Sequence, residues 1–394
     1  MTRLPPCSAV HRPFARATFW ISIAALAWTQ VGYGAFLALL RRARGGPGAV
    51  AEPPARERPS VSLIVAAYAE EDVIAAKVAN ALALDWPRDR LQIVVAVDGG
   101  AERGADATAE RARAAGADLV LELPRGGKVR AQDAAVRRAR GELVAFSDAN
   151  ALWAPDALRR LVAPFATDPA VGYVCGQVSF TNADGGTNQE GLYWRDEMAL
   201  RSLESRLASV TGGNGAIYAT RRDAYIEVDP IMGHDLSFPF NMVKRGWRAL
   251  YAPDARASEK MVPSIEGEFA RKRRMMGHGW PIVLRGGLLS PKGYGPLYGL
   301  MILSHRVLRY AMPFLHLLAL IANLLLLTTS PVYVATMALQ CALVGAAVLA
   351  RWVPWRGLLL ARYYVLTQAA LAAGLWDWRR HGTEAGWSPP EGTR

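Results

Sequence analysis

The chain has 394 residues, of which 52% are hydrophobic and 20% charged, and 46 Lys+Arg against 34 Asp+Glu give a formal net charge of +12. This length holds one sizeable soluble domain plus membrane segments. The basic excess does not mark a nucleic-acid binder: much of it flanks apolar spans, where Lys and Arg face anionic lipid and set topology, and no zinc-finger spacing or aromatic–basic RNA signature is present. Cys7, Cys175 and Cys341 are far apart, so neither a disulfide framework nor a cysteine metal cluster is readable.

A tail over 1–16 precedes an uncharged run from Ala17 to Leu40, long enough for a bilayer span. The apolar region exceeds that of a secretory signal, which favours a retained anchor over a cleaved leader. A linker, 41–58, opens with Arg41, Arg42 and Arg44. Residues 59–280 carry recurring charge and read as soluble. Within them Val61–Ala66 is a short apolar run, as in a buried parallel strand. Helix sequence follows from Asp72 to Leu84, then a strand from Leu91 to Val97 ending at Asp98-Gly99-Gly100. A helix over Asp106–Ala115, a strand at Leu119–Leu121, a helix over Val129–Arg138 and a strand at Leu143–Phe146 continue the alternation. Segment 281–309 includes Gly293–Leu303, too short to span, which reads either as interfacial or as a buried core helix. Three spans are expected over 310–376, the third needing a partner for Arg362, before a tail over 377–394.

Alternating strands and helices predict a parallel sheet covered on both faces, with ligands beyond the carboxyl ends of its strands. Tyr68 and Glu70, Asp98, and Asp148-Ala149-Asn150 fall at those ends. Each alone reads equally as a turn or helix cap; their joint placement points to a site. Gly126-Gly127-Lys128 is not a Walker loop, because Val129 stands where Ser or Thr is required.

With these residues in order, the chain resembles glycosyltransferase family 2, in particular the membrane-integrated branch of cellulose, chitin and hyaluronan synthases. The resemblance covers about Ser60 to Trp280. It implies an α/β GT-A fold, a Rossmann-like nucleotide-sugar-binding domain, joined to transmembrane α-helices. Tyr68, Glu70, Asp98 and Lys128 match donor-binding segments. Asp148-Ala149-Asn150 lies where the D-x-D metal motif belongs, with Asn150 replacing the second acid. Gly213 and Asn214 fall in a loop similar to the acceptor-side one. Asp235 occupies the position of the catalytic base, with His234 replacing the acid before it. Arg273 matches the arginine of Q-x-x-R-W, whose Gln and Trp are Ala270 and Arg274 here.

The implied chemistry is metal-dependent, inverting transfer from a nucleotide sugar, with UDP as the expected nucleotide. Mg²⁺ or Mn²⁺, held by Asp148 and Asn150, neutralises the leaving diphosphate. Asp235 takes the proton of the acceptor hydroxyl; the alternative is that it only caps a helix. Arg273 is expected to clamp the diphosphate, while the run Arg271–Arg274 alternatively faces lipid headgroups. The acceptor reads as a growing polysaccharide, or as a lipid receiving one sugar. A silent membrane scaffold is disfavoured by retention of Asp98, Asp148 and Asp235 together. Nucleotide sugars are cytoplasmic, so a multi-pass protein of the cell membrane with a cytoplasmic catalytic domain is expected.

Overall fold

The computed structural model describes residues 8–45, 58–102, 104, 106–181, 189–260 and 265–386. Helices α1 (Ser8–Ala27) and α2 (Tyr33–Arg44) form one rod joined by a π-helical segment, Trp28–Gly32. The rod extends beyond the uncharged run at both ends, because Arg interrupts hydrophobicity without interrupting a helix.

The soluble domain begins with β1 (Val61–Ala67), α3 (Ile74–Leu82), β2 (Leu91–Asp98), α4 (Thr108–Ala114), β3 (Leu119–Leu123), α5 (Lys128–Val136) and β4 (Leu143–Asp148). These strands are parallel in the order β3-β2-β1-β4. All seven residues of β1 are buried, which explains why six are apolar and why the one polar side chain, Ser62, donates to Gln92 Oε1 at 2.7 Å. Leu63 packs with Trp153 and Leu161 on one face, and Ile64 with Phe146 and Phe238 on the other, the alternation that pleating imposes.

The second half contains β5 (Leu152–Trp153), α6 (Ala157–Thr167), β6 (Val171–Thr181), α7 (Gln189–Leu207), β7 (Tyr218–Arg221), α8 (His234–Lys244) and β8 (Arg248–Lys260). It completes the eight-stranded order β3-β2-β1-β4-β7-β6-β8-β5. Here β7 runs antiparallel to β4 and β6, β8 is parallel to β6, and β5 is antiparallel to β8. The sheet is therefore mixed, where the sequence pattern had indicated only its parallel half.

After α9 (Ile265–Leu284) come α10 (Pro296–Met301), a π-helical segment Ile302–Val307, α11 (Leu308–Leu326), α12 (Pro331–Leu349) and α13 (Arg356–His381). Four helical stretches are long and apolar enough to cross a membrane: Arg12–Arg44, Pro296–Leu326, Pro331–Leu349 and Arg356–His381. The segment Gly293–Leu303, read from sequence as interfacial or as a buried core helix, is continuous with the helix that follows it. Pro296 starts the 31-residue helix, and the charged residues that broke the hydropathy run, buried Arg306 and half-buried Arg309, bond Thr211 and Glu197 instead of ending it. Arg362 within α13 donates to Glu266 of α9 at 2.6 Å. α9 also docks on α13 through Trp280 Nε1, which donates to the Leu371 carbonyl at 2.9 Å.

Candidate active site

The end of β2 shapes the first wall. Asp98, 5% exposed, accepts the backbone N–H of Gly126 at 2.6 Å and of Gly127 at 3.0 Å, and a 3.0 Å bond from Arg125 Nη1. The Arg125 guanidinium lies 3.2 Å from the Tyr68 ring centroid, a cation–π contact. Asp98 thus fixes the glycine loop that precedes α5. Gly127 has φ +92, and a Cβ there would lie 1.9 Å from the Ala385 carbonyl oxygen, so the segment after α13 lies directly on this loop. Glu70 is buried; its backbone N–H donates to Thr108 Oγ1 and its carbonyl accepts the N–H groups of Val73 and Ile74 that open α3.

Lys128, first residue of α5, bonds Asp148 at the end of β4. Burial works to lower the Lys128 pKa, but the Asp148 charge and hydrogen bond, with Asp235 and Glu259 beyond, leave it raised. Glu259 on β8 is an acid the sequence reading missed. Burial and the Asp148 charge push it up to about 7. Beneath them Lys77, fully buried, donates to the Ala151 carbonyl at 2.7 Å and pins the turn that carries Asn150; burial lowers its pKa to about 7.

Asp148 and Asn150 line the same cavity and offer one carboxylate and one amide oxygen. Among the described residues no group of three or more His, Cys, Asp or Glu side chains is gathered to hold a metal. That donor set fits a hard cation completed by substrate phosphates and water.

Opposite stands the loop Thr211–Gly215. The Gly213 N–H donates to the Asp235 carbonyl at 2.6 Å, and a Cβ on Gly213 would lie 1.9 Å from Tyr173 Oη. Only glycine lets the loop approach so closely. Asn214 ties the loop to β6 by donating to the Gly176 carbonyl at 2.8 Å. A Cβ on Gly215 would sit 3.0 Å from Lys128 Nζ and 3.4 Å from Asp148 Oδ2, so the loop faces the Lys128–Asp148 pair. Asp235, in the first turn of α8, accepts the Leu236 N–H at 3.0 Å. His234 turns its ring into an aromatic box: it stacks on Phe238 at 3.9 Å, and Nδ1 meets Tyr218 Oη at 2.8 Å. Burial, then the Lys128 charge, lower its pKa to about 3, so it is neutral, and Nε2 is enclosed. It lies next to Asp235 in the chain, with its ring packed among Phe146, Tyr218, Tyr225 and Phe238.

A cavity of about 980 Å³ joins these groups. It is lined by Lys128, Asp148, Asn150, Gly213, Asn214, His234, Asp235 and Glu259, and extends past Arg271, Lys272 and Arg274 to Gln30, Arg309 and Tyr364 in the helical bundle. Tyr68, Glu70, Asp98 and Arg273 do not line it. Arg273 instead points outward and makes a two-pronged pair with Asp377 of α13 at 2.6 and 2.7 Å. Consecutive helical residues diverge by about 100°, so one cation of the run had to face away, and docking on α13 selects Arg273.

A buried polar hub was also missed. Glu204, fully buried on α7, accepts Tyr33 Oη at 2.5 Å, the Thr211 N–H at 3.1 Å and Thr211 Oγ1 at 3.1 Å, and meets His305 Nδ1 at 2.7 Å. His305 Nε2 lies 3.0 Å from Glu197, which also receives Arg309 at 2.6 Å. Burial opposes ionisation of both acids, yet His305 and Arg306 hold their pKa values below the usual range. The available signal was charge inside an apolar helix, His305-Arg306 and Arg309, which marks function or a buried partner.

Comparison with known proteins follows this geometry. The mannosyltransferase of Pyrobaculum calidifontis, solved with GDP-Man and Mn²⁺, superposes with a TM-score of 0.69 at 25% identity, covering 92% of this chain and 100% of that one. The match therefore takes in helices beyond the sheet domain. Proteins named N-acetylglucosaminyltransferase from Mesorhizobium japonicum and Rhizobium meliloti are 28% and 30% identical over 58% and 61% of this chain. The aligned regions span 57% and 60% of those relatives' lengths. The model of the family described as glycosyltransferase like family 2 matches residues 59–278, more than half of the chain. The chain belongs to that family: it is a glycosyltransferase with a GT-A-like mixed sheet.

Proposed function

We propose that this glycosyltransferase moves one sugar from a nucleotide sugar to a lipid-borne acceptor carrying a phosphate, at the membrane boundary. The observation that carries this reading is the single cavity running from Asp148 and Asp235 into the helical bundle. Its membrane end is lined by Arg271, Lys272, Arg274, Arg306 and Arg309, a basic wall in which Glu268 pairs with Arg271 and Lys272 and Glu197 with Arg306 and Arg309. Burial, with the nearby Arg271, lowers the Arg274 pKa, a setting that an anionic headgroup relieves. About 980 Å³ lies at the upper end of small-ligand sites. That suits a nucleotide sugar beside a headgroup better than a long glycan.

In this reading Asp148 and Asn150 would hold Mg²⁺ or Mn²⁺, which supplies charge neutralisation for the departing diphosphate. Lys128 adds a positive charge beside it. Asp235 accepts the proton of the acceptor oxygen as that oxygen attacks the anomeric carbon. With one base and no protein nucleophile, the anomeric configuration inverts. The bundle anchors the chain in the cell membrane with the sheet domain on the cytoplasmic side, where nucleotide sugars are made.

The relatives' name puts N-acetylglucosamine first among the sugars, to be offered as its UDP derivative, and the structural neighbour's GDP-Man puts GDP-mannose second. Purified protein, Mn²⁺, labelled donor and polyprenyl phosphate in detergent give the test. One discrete labelled lipid is the expected product. A ladder of water-soluble chains would establish extension of a growing glycan instead, and labelling of unphosphorylated diacylglycerol alone would remove the anionic headgroup.

A further inference from the structure

We infer that Glu204 is a positioning residue that ties the placement of Asp235 to the membrane helices. The inference rests on the proposed role of Asp235 as base.

Three connections meet at this one carboxylate. Toward the first span, Tyr33 donates at 2.5 Å, at the start of α2 directly after the π-helical segment Trp28–Gly32. Toward the second span, His305 meets it at 2.7 Å from within the other π-helical segment, Ile302–Val307. The two irregular segments are themselves linked, since Trp28 Nε1 donates to Ser304 Oγ at 2.9 Å. Toward the site, Glu204 holds both the N–H and the hydroxyl of Thr211. Arg306 Nε donates to the same hydroxyl at 2.9 Å, and Gly212 leaves so little space that a Cβ would lie 2.5 Å from Arg306 Nη2. Two residues on, Gly213 donates to the Asp235 carbonyl. A continuous chain of short polar contacts therefore runs from two membrane helices to the backbone of the base.

The chemistry of the hub favours positioning over stability. A wholly buried carboxylate costs free energy, and apolar replacement of buried ion pairs is often neutral or stabilising. π-Helical segments strain the regular ladder and recur at functional sites. Here two of them aim side chains at one acid. Glu204 lies outside the cavity lining while Gly212 and Gly213 lie within it, so it acts through the loop and touches neither donor nor acceptor.

The test compares Glu204→Gln, Thr211→Val, Thr211→Ser and Tyr33→Phe in the full-length protein. A slip of about 1 Å at a reacting group costs roughly a hundredfold in rate. Glu204→Gln and Thr211→Val are expected to lower kcat by about that factor while the donor KM and the nucleotide Kd stay within about twofold. Thr211→Ser, which keeps the hydroxyl, restores most of the rate. The Glu204→Gln/Thr211→Val double variant is no slower than either single one, because both break the same link. A multiplicative double variant, a donor KM that rises with the loss of kcat, or full activity in Thr211→Val overturns the inference. Should Glu204→Gln fail to accumulate, the Thr211 pair alone decides. Asp235→Asn separates the two readings. If it is inactive while Thr211→Val is fully active, only the hub proposal falls; if Asp235→Asn keeps wild-type turnover, the base assignment falls.

Discussion

Lys128 places its ammonium on the carboxylate of Asp148, the group proposed to hold a divalent ion. Without a cation the lysine is the counter-charge, so cation binding must displace it. Replacing Lys128 by Met should therefore strengthen Mn²⁺ binding to the nucleotide-free protein by roughly tenfold, the worth of about one charge-assisted bond. Electron paramagnetic resonance titration of free Mn²⁺ measures this directly. Weaker binding in the variant would mean that Lys128 helps to build the site.

Asp235→Asn keeps the shape of the side chain and its bond from the Leu236 N–H but cannot take a proton. Turnover should fall by about 10²- to 10⁴-fold, the usual contribution of a general base, with the donor KM nearly unchanged. Steady-state kinetics with saturating acceptor separate the two parameters. A change confined to the acceptor KM would point to binding alone.

Glu259, pushed up to about 7 from an ordinary 4.5, gives a pH dependence of definite sign. Its folded form retains the proton. Below about pH 4.5 both folded and unfolded chains are protonated and the group is neutral to stability. As pH rises toward 7 the unfolded chain ionises first, and stability is lost progressively. Glu259→Gln should accordingly raise Tm by a few degrees at pH 8 and leave it within about one degree at pH 4.5. Melting curves in metal-free buffer report this, and an equal gain at both pH values would exclude titration as its cause.

Arg273 and Arg274 are neighbours with opposite surroundings. Arg273 is 45% exposed and paired with Asp377, whereas Arg274 lines the cavity. Exposed pairs contribute about 0–1 kcal/mol, so Arg273→Gln should leave activity within about twofold. Arg274→Gln should raise the KM for a phosphorylated lipid acceptor by about tenfold, one lost charged contact. Acceptor titrations at fixed donor distinguish them. Reversed effects would restore Arg273 to the diphosphate.

The parallel half of the fold was legible because β1, β2 and β4 are short, mostly apolar runs separated by helix-forming segments. The mixed half was not: β8 takes its partners from β6 and β5, and nothing local in Arg248–Lys260 encodes that pairing. Among the site residues, Asp98 and Asp148 stand at strand ends as expected, because sheet topology alone puts them there. What eluded the sequence were choices made by distant contacts. The phase of α9 is set by α13, the glycine loop before α5 is covered by Ala385, and Glu259 meets Asp148 only through packing. His234 reads as an acceptor-side polar group in sequence; it lines the cavity, and what the sequence did not show is the ring cluster of Phe146, Tyr218, Tyr225 and Phe238 packed around it.

Most of helix α9 belongs to the matched family region, which ends at residue 278, yet it leans on α13 through Lys272 and Arg273, and through Trp280 just beyond the match. A fragment limited to residues 59–278 would carry the whole matched family region while lacking the α13 residues Tyr363, Tyr364, Thr367 and Leu371 that wall the cavity. Purification of such a truncated piece should yield a protein that recognises nucleotide but turns over poorly. Detergents that strip α13 from α9 should inactivate the intact enzyme in the same way, so the choice of solubilising agent is itself a catalytic variable.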